Sequence, residues 1–462
     1  MAFLFLRLVF SFCTPLASGA GVASPDFVQP ECLEVSASEF VGSVRGVLDV
    51  LQKVISILSK LGSSFGDFRV SNAISDCLDL LDLSSDELSW TASATQNPTG
   101  KHNTTGKLSS DLRTWLSAAL ANPETCMEGF EGAPNCRQSS HKKGQFPSWV
   151  KPGDRKLLQA NVVAVDVVVA ADGTGNFTKV MDAVLAAPDY SMKRYVIYIK
   201  RGVYKENVEI KKKKWNLMMI GDGMDATVIS AVSGRGFIAR DLSFQNTAGP
   251  EKHQAVALRS DSDLSVFYRC GFFGYQGTLY TRPMRQFYRE CKISGTVDFI
   301  YGDSTALFQN CKILVRKGLP NQKNIITAQG RKHPNDPTGF SIQFCNITAD
   351  SDLLPSVNTT QTYLGRPWKE FSRTVIMQSY LSNVLRPEGW IEWNGPFALD
   401  TLYYAEYMNY GPGAGLADRI KWPGYHVLNS SSEANNFTVA RFIEGNLWLP
   451  STGVIFTAGL EI

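Results

Sequence analysis

The sequence carries an aspartate and an arginine inside strongly apolar, aromatic segments. Asp298 lies in GTVDFIYG (295–302), where an ionised carboxylate is costly to bury unless a cation pairs with it. Arg366 lies in YLGRPWK (363–369) and has a rigid fork that can hold a carboxylate through two hydrogen bonds. Trp368 offers a flat face on which a sugar ring can stack. Taken singly, these features are more often a buried ion pair and a core tryptophan, so the residues alone leave a structural role open.

Other hydrolase and ligand classes fit the sequence poorly. The residues after 158 contain no G-x-S-x-G elbow and only three histidines, and no H-E-x-x-H helix occurs anywhere in the sequence, which makes a serine hydrolase or zinc hydrolase a poor fit. The nine cysteines contain no C-x-x-C pair, which argues against a zinc site. The net charge is +3, with −2 before residue 158 and +5 after it, and the single dense basic run is 211–214. We therefore expect no metal and no nucleic acid.

The first twenty residues are apolar with a single charge and end in small residues, which predicts a secretory signal peptide over 1–20. An N-terminal membrane anchor is the alternative. We expect a secreted glycoprotein with disulfide bonds, because such bonds form in oxidising compartments. Six N-x-[ST] glycosylation acceptors add weak support: Asn103, Asn176, Asn346, Asn358, Asn429 and Asn436.

Apolar residues between about residues 33 and 130 recur at three-and-four spacing, which predicts an all-α helical bundle. Gly62 follows one such run and is placed to end its helix. Cys77 and Cys126 fall in two different predicted helices and are the first candidates for a disulfide.

The chain between the two halves loses its periodicity and becomes rich in proline, glycine, serine and basic residues, which predicts an exposed linker over 137–158. It contains the dibasic motif RKLL, formed by Arg155, Lys156, Leu157 and Leu158. A processing protease can reach the backbone in such a segment.

After residue 160 short β-branched and aromatic runs repeat about every 20 residues. The segments VFYRC, QFYREC, LFQNC and SIQFC end at Cys270, Cys291, Cys311 and Cys345. One strand-and-turn unit per repeat predicts a right-handed parallel β-helix, and a β-sandwich of evenly spaced strands is the alternative. The four cysteines can bridge adjacent coils, with Cys311 and Cys345 as the candidate pair, or can form a stack of buried free thiols.

The chain closely resembles the plant pectin methylesterases (pectinesterases). The resemblance covers residues 161–462, and residues 33–136 resemble the pectinesterase-inhibitor-like helical domain that often precedes the enzyme as a pro-region. The segments that carry the first resemblance, in order, are GVYKE (202–206), QAVALRSDSDLSVFYRC (254–270), YQGTLY (275–280), GTVDFIYG and YLGRPWK. We therefore divide the chain into a signal peptide (1–20), an inhibitor-like pro-domain (25–136), a linker with the RKLL processing site (137–158) and a pectinesterase domain (159–462).

The resemblance implies hydrolysis of methyl esters on polygalacturonate (pectin), giving methanol and free carboxylates without a cofactor. By motif, Asp298 matches the nucleophile and Arg366 the arginine that orients it. Gln254 and Gln276 match the glutamines that stabilise the oxyanion, and Trp368 matches a substrate-stacking residue. The expected partners are pectin, proteinaceous esterase inhibitors and a processing protease. We expect a monomer in the extracellular cell wall.

Two positions depart from the family pattern. The family has an aspartate at position 277, as general acid and then base, where this chain has Gly277. Loss of a positioned acid or base typically costs about 10²–10⁴-fold in rate. The chain is also shorter between 227–230 and 231–237 by about one coil, through a natural deletion or an error in the gene sequence. Impaired activity is therefore one expectation, and a catalytically dead pectin-binding or esterase-inhibitor protein is the alternative function. A lyase or polygalacturonase has no support in the motifs.

Overall fold

The structure is a computed structural model that describes residues 36–62, 68–97, 105, 107–128, 164–224, 227–229 and 234–461. The chain divides into two compact units, Met1–Arg137 and Gln138–Ile462. The predicted signal peptide, the alternative membrane anchor and the RKLL motif lie outside the described residues. Within the described part, no helix combines the length and the apolar character that crossing a membrane requires.

The described part of the first unit is helical, with α1 (Ala37–Gly62), α2 (Phe68–Gln96) and α3 (Leu108–Glu128). Ser36 and Glu39 begin α1 with a capping box, in which each backbone N–H donates to the other residue's side chain at 3.0 and 3.3 Å. The helix ends at Gly62, as predicted. Apolar faces of the three helices form one core, which includes Val44, Leu88 and Leu116. The predicted all-α bundle is confirmed.

A disulfide joins two of these helices. Cys77 of α2 is bonded to Cys126 of α3, as the sequence predicted. Both sulfurs are buried beside Leu80 and Leu81. The bond closes a loop of 49 residues, which lowers the entropy of the unfolded chain and stabilises the bundle.

The second unit is a parallel β-helix of three sheets, in which every strand pair is parallel. This rules out the β-sandwich, whose neighbouring strands are antiparallel, and confirms the predicted fold class. Sheet A contains β1 (Val167–Val169), β2 (Tyr195–Ile199), β4 (Leu217–Gly221), β6 (Ile238–Arg240), β9 (Ser265–Tyr268), β12 (Arg285–Arg289), β15 (Thr305–Gln309), β18 (Gly339–Gln343), β21 (Arg373–Met377), β23 (Tyr403–Tyr407) and β24 (Tyr425–Val427). Sheet B contains β3 (Gly202–Val203), β5 (Thr227–Ile229), β7 (Ser243–Gln245), β10 (Gly271–Phe273), β13 (Lys292–Gly295), β16 (Lys312–Val315), β19 (Asn346–Ala349) and β22 (Tyr380–Leu381). Sheet C contains β8 (Leu258–Ser260), β11 (Leu279–Thr281), β14 (Ile300–Gly302), β17 (Asn324–Gln329) and β20 (Thr362–Gly365).

Short helices accompany the β-helix. They are α4 (Val180–Ala186), α5 (Ser431–Asn435), α6 (Val439–Phe442) and α7 (Gly445–Trp448), with 3-10 turns at Pro250–Lys252, Leu354–Ser356 and Leu449–Thr452. Val439 and Trp448 from the last helices pack against the outer face of sheet A, beside Phe287. This covers apolar side chains that would otherwise face water.

The interior of the β-helix is a stack of identical positions from successive coils. Phe267, Tyr288 and Phe308 are paired in register across β9, β12 and β15. Their rings stack with centroids 4.8 and 4.6 Å apart. The 20-residue repeat of the sequence is therefore one coil, and each coil places an apolar side chain above the preceding one.

The structure corrects the expectation of a bridge between Cys311 and Cys345. Both are buried free thiols, as are Cys270 and Cys291. The sulfurs of Cys291, Cys311 and Cys345 each contact a backbone carbonyl of the preceding coil. An example is the contact of Cys311 Sγ with Tyr288 O at 3.5 Å. In-register stacking makes these side chains parallel, so they form a thiol stack and not a bridge.

The shortened segment lies in a part of the β-helix where sheet C has not yet begun. In every coil from β7 to β20 the chain visits sheet B, then sheet C, then sheet A. Between β3 and β4, and again between β5 and β6, the described residues contain no strand of sheet C. Sheet C therefore begins at β8, after two coils with strands in sheets A and B alone among the described residues.

Candidate active site

The predicted site residues lie in the segments that directly precede or follow strands of sheet C. Gln254 precedes β8, Gln276 and Gly277 precede β11, and Asp298 precedes β14. Arg366 directly follows β20. Hydrogen bonds between coils hold these segments side by side, from Ala255 N to Gln276 O at 3.0 Å and from Gly277 N to Val297 O at 3.0 Å.

Asp298 and Arg366 form a two-pronged ion pair. Arg366 Nε donates to Asp298 Oδ1 at 2.9 Å, and Nη2 donates to Oδ2 at 2.6 Å. Asp298 has φ +47°, a left-handed conformation that few residues other than glycine, asparagine and aspartate adopt. The aspartate side chain is 15% exposed and the arginine side chain 24%. The carboxylate is thus fixed in orientation and still open to a ligand.

Burial raises the pKa of Asp298 above its ordinary value, and the hydrogen bonds and charge of Arg366 partly offset that rise. A carboxylate with a raised pKa is a stronger base and a better nucleophile than one in water. Because Arg366 keeps the charged form accessible, Asp298 is suited to attack an ester carbonyl or to activate water.

Two tryptophans belong to this region of the molecule. The guanidinium of Arg366 lies 4.3 Å from the ring centroid of Trp393, a cation–π contact. Trp368 packs on Gly330, where an added Cβ would come within 2.7 Å of the indole ring. Trp368 is partly exposed, and Trp393 is 37% exposed. The site therefore has partly exposed aromatic surface at Trp393 beside Arg366 and at Trp368 beside Tyr301, suited to a sugar ring.

The two glutamines have different surroundings. Gln254 is exposed, and its Nε2 donates to the hydroxyl of Tyr301 at 3.1 Å. Gln276 is partly buried, one residue from Gly277. Amide groups are neutral donors that can stabilise a developing oxyanion. Gln276 and Asp298 precede β11 and β14, which belong to adjacent coils.

Comparison with known proteins identifies the family. Residues 166–446 match the pectinesterase family, and residues 21–152 match the plant invertase/pectin methylesterase inhibitor family. The chain is 67% identical over 484 aligned positions to the pectinesterase/pectinesterase inhibitor PPE8B of Prunus persica, covering 95% of this chain and 92% of the relative. It is 59% identical over 516 aligned positions to the probable pectinesterase/pectinesterase inhibitor 32 of Arabidopsis thaliana, covering 99% and 97%. The chain belongs to the pectinesterase family.

A solved structure gives the same assignment for the second unit. The pectin methylesterase from carrot matches with a TM-score of 0.64 and 52% identity, covering 65% of this chain and all of the carrot chain. This pectinesterase is a carboxylic ester hydrolase that cleaves the methyl esters of pectin. The two alignments with relatives are longer than the 462-residue chain, so those relatives carry residues that this pectinesterase lacks.

Sequence reasoning missed two contacts of the pectinesterase site. Trp393 was not among the predicted site residues, although it lies under Arg366. Tyr301 was read only as part of GTVDFIYG, and nothing in its spacing showed that its hydroxyl meets Gln254. The aromatic segment around Trp393 was the available signal, but aromatic residues are frequent throughout this chain.

Proposed function

We propose that Asp298 is the nucleophile of the esterase reaction on pectin and that Arg366 orients it. Attack on the methyl ester carbonyl forms a tetrahedral intermediate, and Gln254 and Gln276 donate hydrogen bonds to its oxyanion. Trp368 stacks on a galacturonate ring. The observation that carries the proposal is the two-pronged Asp298–Arg366 pair beside sheet C, with contacts of 2.9 and 2.6 Å and a carboxylate side chain that is 15% exposed.

The decisive measurement is the methanol released from methyl-esterified pectin by the full chain after expression in a secretory host. Asp298→Ala is the inactive reference, and Asp189→Ala is the matched control because Asp189 pairs with Lys213 at the surface. We expect release by the wild type and by the control but not by Asp298→Ala. Equal release by all three would refute the role of Asp298.

We propose that Gly277 slows this pectinesterase relative to a variant with a carboxyl group at that position. Gly277→Asp introduces strain, because φ is +67° and the new Cβ would lie 2.9 Å from Gln254 Cγ. Aspartate tolerates this backbone region better than most residues. If methanol release by Gly277→Asp does not exceed that of the wild type, the absence of an acid at this position is not what limits the rate.

We propose that the protein is secreted to the cell wall, where its substrate lies, and that a protease removes the inhibitor-like domain at Arg155 to Leu158. The match of residues 21–152 to an inhibitor family supports a pro-domain, and proteinaceous inhibitors are its expected partners. The mature enzyme acts as a monomer, which light scattering checks. N-terminal sequencing of the secreted product should give a start near Gln159, and replacing Arg155 and Lys156 by alanine should leave the chain uncut.

The alternative of a catalytically dead pectin-binding or inhibitor protein is not favoured. A binding protein has no need for a largely buried aspartate with a raised pKa, held by an arginine through two hydrogen bonds. Retention on pectin without methanol release by the folded wild type would reverse this preference.

A further inference from the structure

Two side chains line the space beside Gly277. An ideal Cβ at this position would lie 2.9 Å from Gln254 Cγ and 3.4 Å from Tyr301 Cε1. Any side chain at position 277 would therefore point toward the ring of Tyr301 and the stem of Gln254. These two side chains are therefore the nearest groups that can serve a reacting ester from this direction.

Tyr301 is held firmly in this place. It is paired in register with Tyr280 of the neighbouring coil, and the two rings stack with centroids 4.4 Å apart at 5°. The ring centroids of Trp368 and Tyr301 lie 5.9 Å apart in an edge-to-face arrangement. The Tyr301 hydroxyl accepts a hydrogen bond from Gln254 Nε2 at 3.1 Å. Because the oxygen is the acceptor there, its own proton remains available to another acceptor.

We propose that the Tyr301 hydroxyl is the proton donor to the leaving methoxide, in place of a carboxyl group at position 277, and that it then accepts a proton from the hydrolytic water. The proposal rests on Asp298 as the nucleophile. Gln254 fixes the hydroxyl and simultaneously faces the oxyanion, so one amide links proton transfer to carbonyl attack.

The proton and electron pairs balance over two steps. Asp298 adds to the ester carbonyl, the C–OCH₃ bond breaks with its electron pair, and Tyr301 gives its proton to the methoxide oxygen. Methanol, an acyl-aspartate and a tyrosinate result. The tyrosinate then takes a proton from water, and the hydroxide attacks the acyl carbon. The C–O bond to Asp298 breaks, the galacturonate carboxylate leaves, and the remaining proton passes to solvent.

The electrostatics of Tyr301 agree with this role. Burial, reinforced by neighbouring Tyr280, raises the pKa of Tyr301 well above 10, while Arg259 and Arg282 act in the opposite direction. The hydroxyl is therefore protonated whenever the ester binds. Methoxide is a stronger base than tyrosinate, so the transfer is favourable. The two arginines lie 5.9 and 5.6 Å from the Tyr280 ring and stabilise the transient negative charge.

Other proton donors near the site are less well placed. The Tyr280 hydroxyl accepts a hydrogen bond from Arg282 Nη1 at 3.0 Å, away from Gln254. Asp303 is buried beside the Arg282 charge, with a pKa raised to about 6 by desolvation, and Asp303→Asn would show the leaving-group-dependent loss if this carboxyl were the donor. His253 is exposed beside Gln254 and is the rival that the experiment must separate from Tyr301.

The test compares two esters of polygalacturonate, the methyl ester and the 2,2,2-trifluoroethyl ester, whose leaving group departs without protonation. We expect Tyr301→Phe to lower kcat on the methyl ester by about 10²–10³-fold, as for loss of a general acid. On the trifluoroethyl ester we expect a loss of less than about tenfold. If Tyr301 only positions Gln254, both esters lose the same factor, as they should in Gln254→Ala, and the proposal is wrong.

Controls separate the proposal from folding defects and from rival donors. Tyr280→Phe removes a hydroxyl from the same ring stack and should leave the ratio of the two rates unchanged. A leaving-group-dependent loss in His253→Gln but not in Tyr301→Phe would assign the proton to the histidine. In the Gly277→Asp background, Tyr301→Phe should lower kcat on the methyl ester by less than about tenfold, because the new carboxyl supplies the proton.

The wild type alone gives a further outcome. An enzyme with a working proton donor cleaves the two esters at rates within about 10²-fold, because protonation compensates for the poorer leaving group. If the folded wild type cleaves only the trifluoroethyl ester, Asp298 functions but no donor does, and Tyr301 is excluded. If the folded wild type cleaves neither ester, Asp298 does not act as a nucleophile, and the proposals for both Asp298 and Tyr301 are wrong.

Discussion

The β-helix contains two aspartate–arginine pairs with nearly the same geometry and opposite electrostatics. Asp263 receives two hydrogen bonds from the Arg285 guanidinium at 3.0 and 2.7 Å. Asp298 receives two from Arg366 at 2.9 and 2.6 Å. Nevertheless, the pKa of Asp263 is lowered and that of Asp298 is raised.

The number of additional donors explains this difference. Burial raises the pKa of both carboxyls, but Asp263 also accepts a hydrogen bond from the Arg285 backbone N–H at 3.2 Å and feels the charge of Arg235. Asp298 has Arg366 as its one stabilising partner among the causes of its shift. The Asp263 side chain is 1% exposed, against 15% for Asp298. A carboxylate with many donors is a structural anion, whereas one with few donors and an open face is reactive.

The largest effect is expected for Asp298→Asn. Removing the nucleophile should lower methanol release at least about 10³-fold, in line with other catalytic nucleophiles. The thermal unfolding midpoint should change little, since Arg366 stays partly exposed and packed on Trp393. Methanol assay and calorimetry on the same preparation check both statements. A large loss of stability would mean that Asp298 is structural, like Asp263.

Asp263→Asn should have the opposite profile. It leaves the buried Arg285 charge without its carboxylate, which costs about 3–5 kcal/mol of unfolding free energy. The activity per folded molecule should be retained, because Asp263 lies outside the site. The pKa of Asp263 is lower in the folded state than in the unfolded chain. The stabilisation by its charge is therefore complete at pH values above its pKa in the unfolded chain, and it disappears as pH falls through its pKa in the folded protein. Urea unfolding at neutral and acidic pH measures this, and a variant as stable as the wild type at neutral pH would contradict it.

The pH profile tests the raised pKa of Asp298 directly. The nucleophile must be ionised, so activity should fall as pH drops through a value above the ordinary aspartate range. Arg366→Lys keeps the positive charge but loses the two-pronged contact. The rise in the pKa of Asp298 that burial causes is then less well offset. We expect the acid limb of kcat to move to higher pH and the maximal rate to drop by about tenfold to a hundredfold. An acid limb that moves to lower pH would show that Arg366 does not lower the pKa of Asp298.

The smallest effect is expected for Trp393→Leu. The ring holds the Arg366 guanidinium through a cation–π contact worth about 0.5–2 kcal/mol, so kcat should fall by a few-fold to about 30-fold. The matched change at an exposed aromatic residue outside the site is Tyr410→Leu, which should have no effect. Equal losses in the two variants would indicate a general effect of removing exposed aromatic surface.

The sequence predicted the fold well, because each coil repeats the same inward positions. The segments ending at Cys270, Cys291, Cys311 and Cys345 are in register in sheet A, as their spacing indicated. It also predicted the Cys77–Cys126 disulfide. The choice between a bridge and a thiol stack stayed open, because spacing gives the coil position of a side chain but not its direction relative to the next coil.

The candidate site was predicted through family motifs more than through physics. Asp298 and Arg366 are 68 positions apart, and nothing in their separate segments shows that two coils of sheet C bring them together. The contacts of Tyr301 with Gln254 and of Arg366 with Trp393 were not predicted at all. Each depends on ring orientation at the edge of a sheet, which the local pattern leaves undetermined.

The amino-acid sequence by itself determined the helical first unit, the coil period of the second unit and the residue types available for chemistry. These follow from local periodicity, since burial repeats with the helix turn or with the coil. Only the tertiary structure decided which aspartate has a raised pKa and which a lowered one. Asp263 and Asp298 both bind an arginine in two-pronged fashion, and the number of further donors and the access of solvent, which set the pKa of each, arise where separate coils meet.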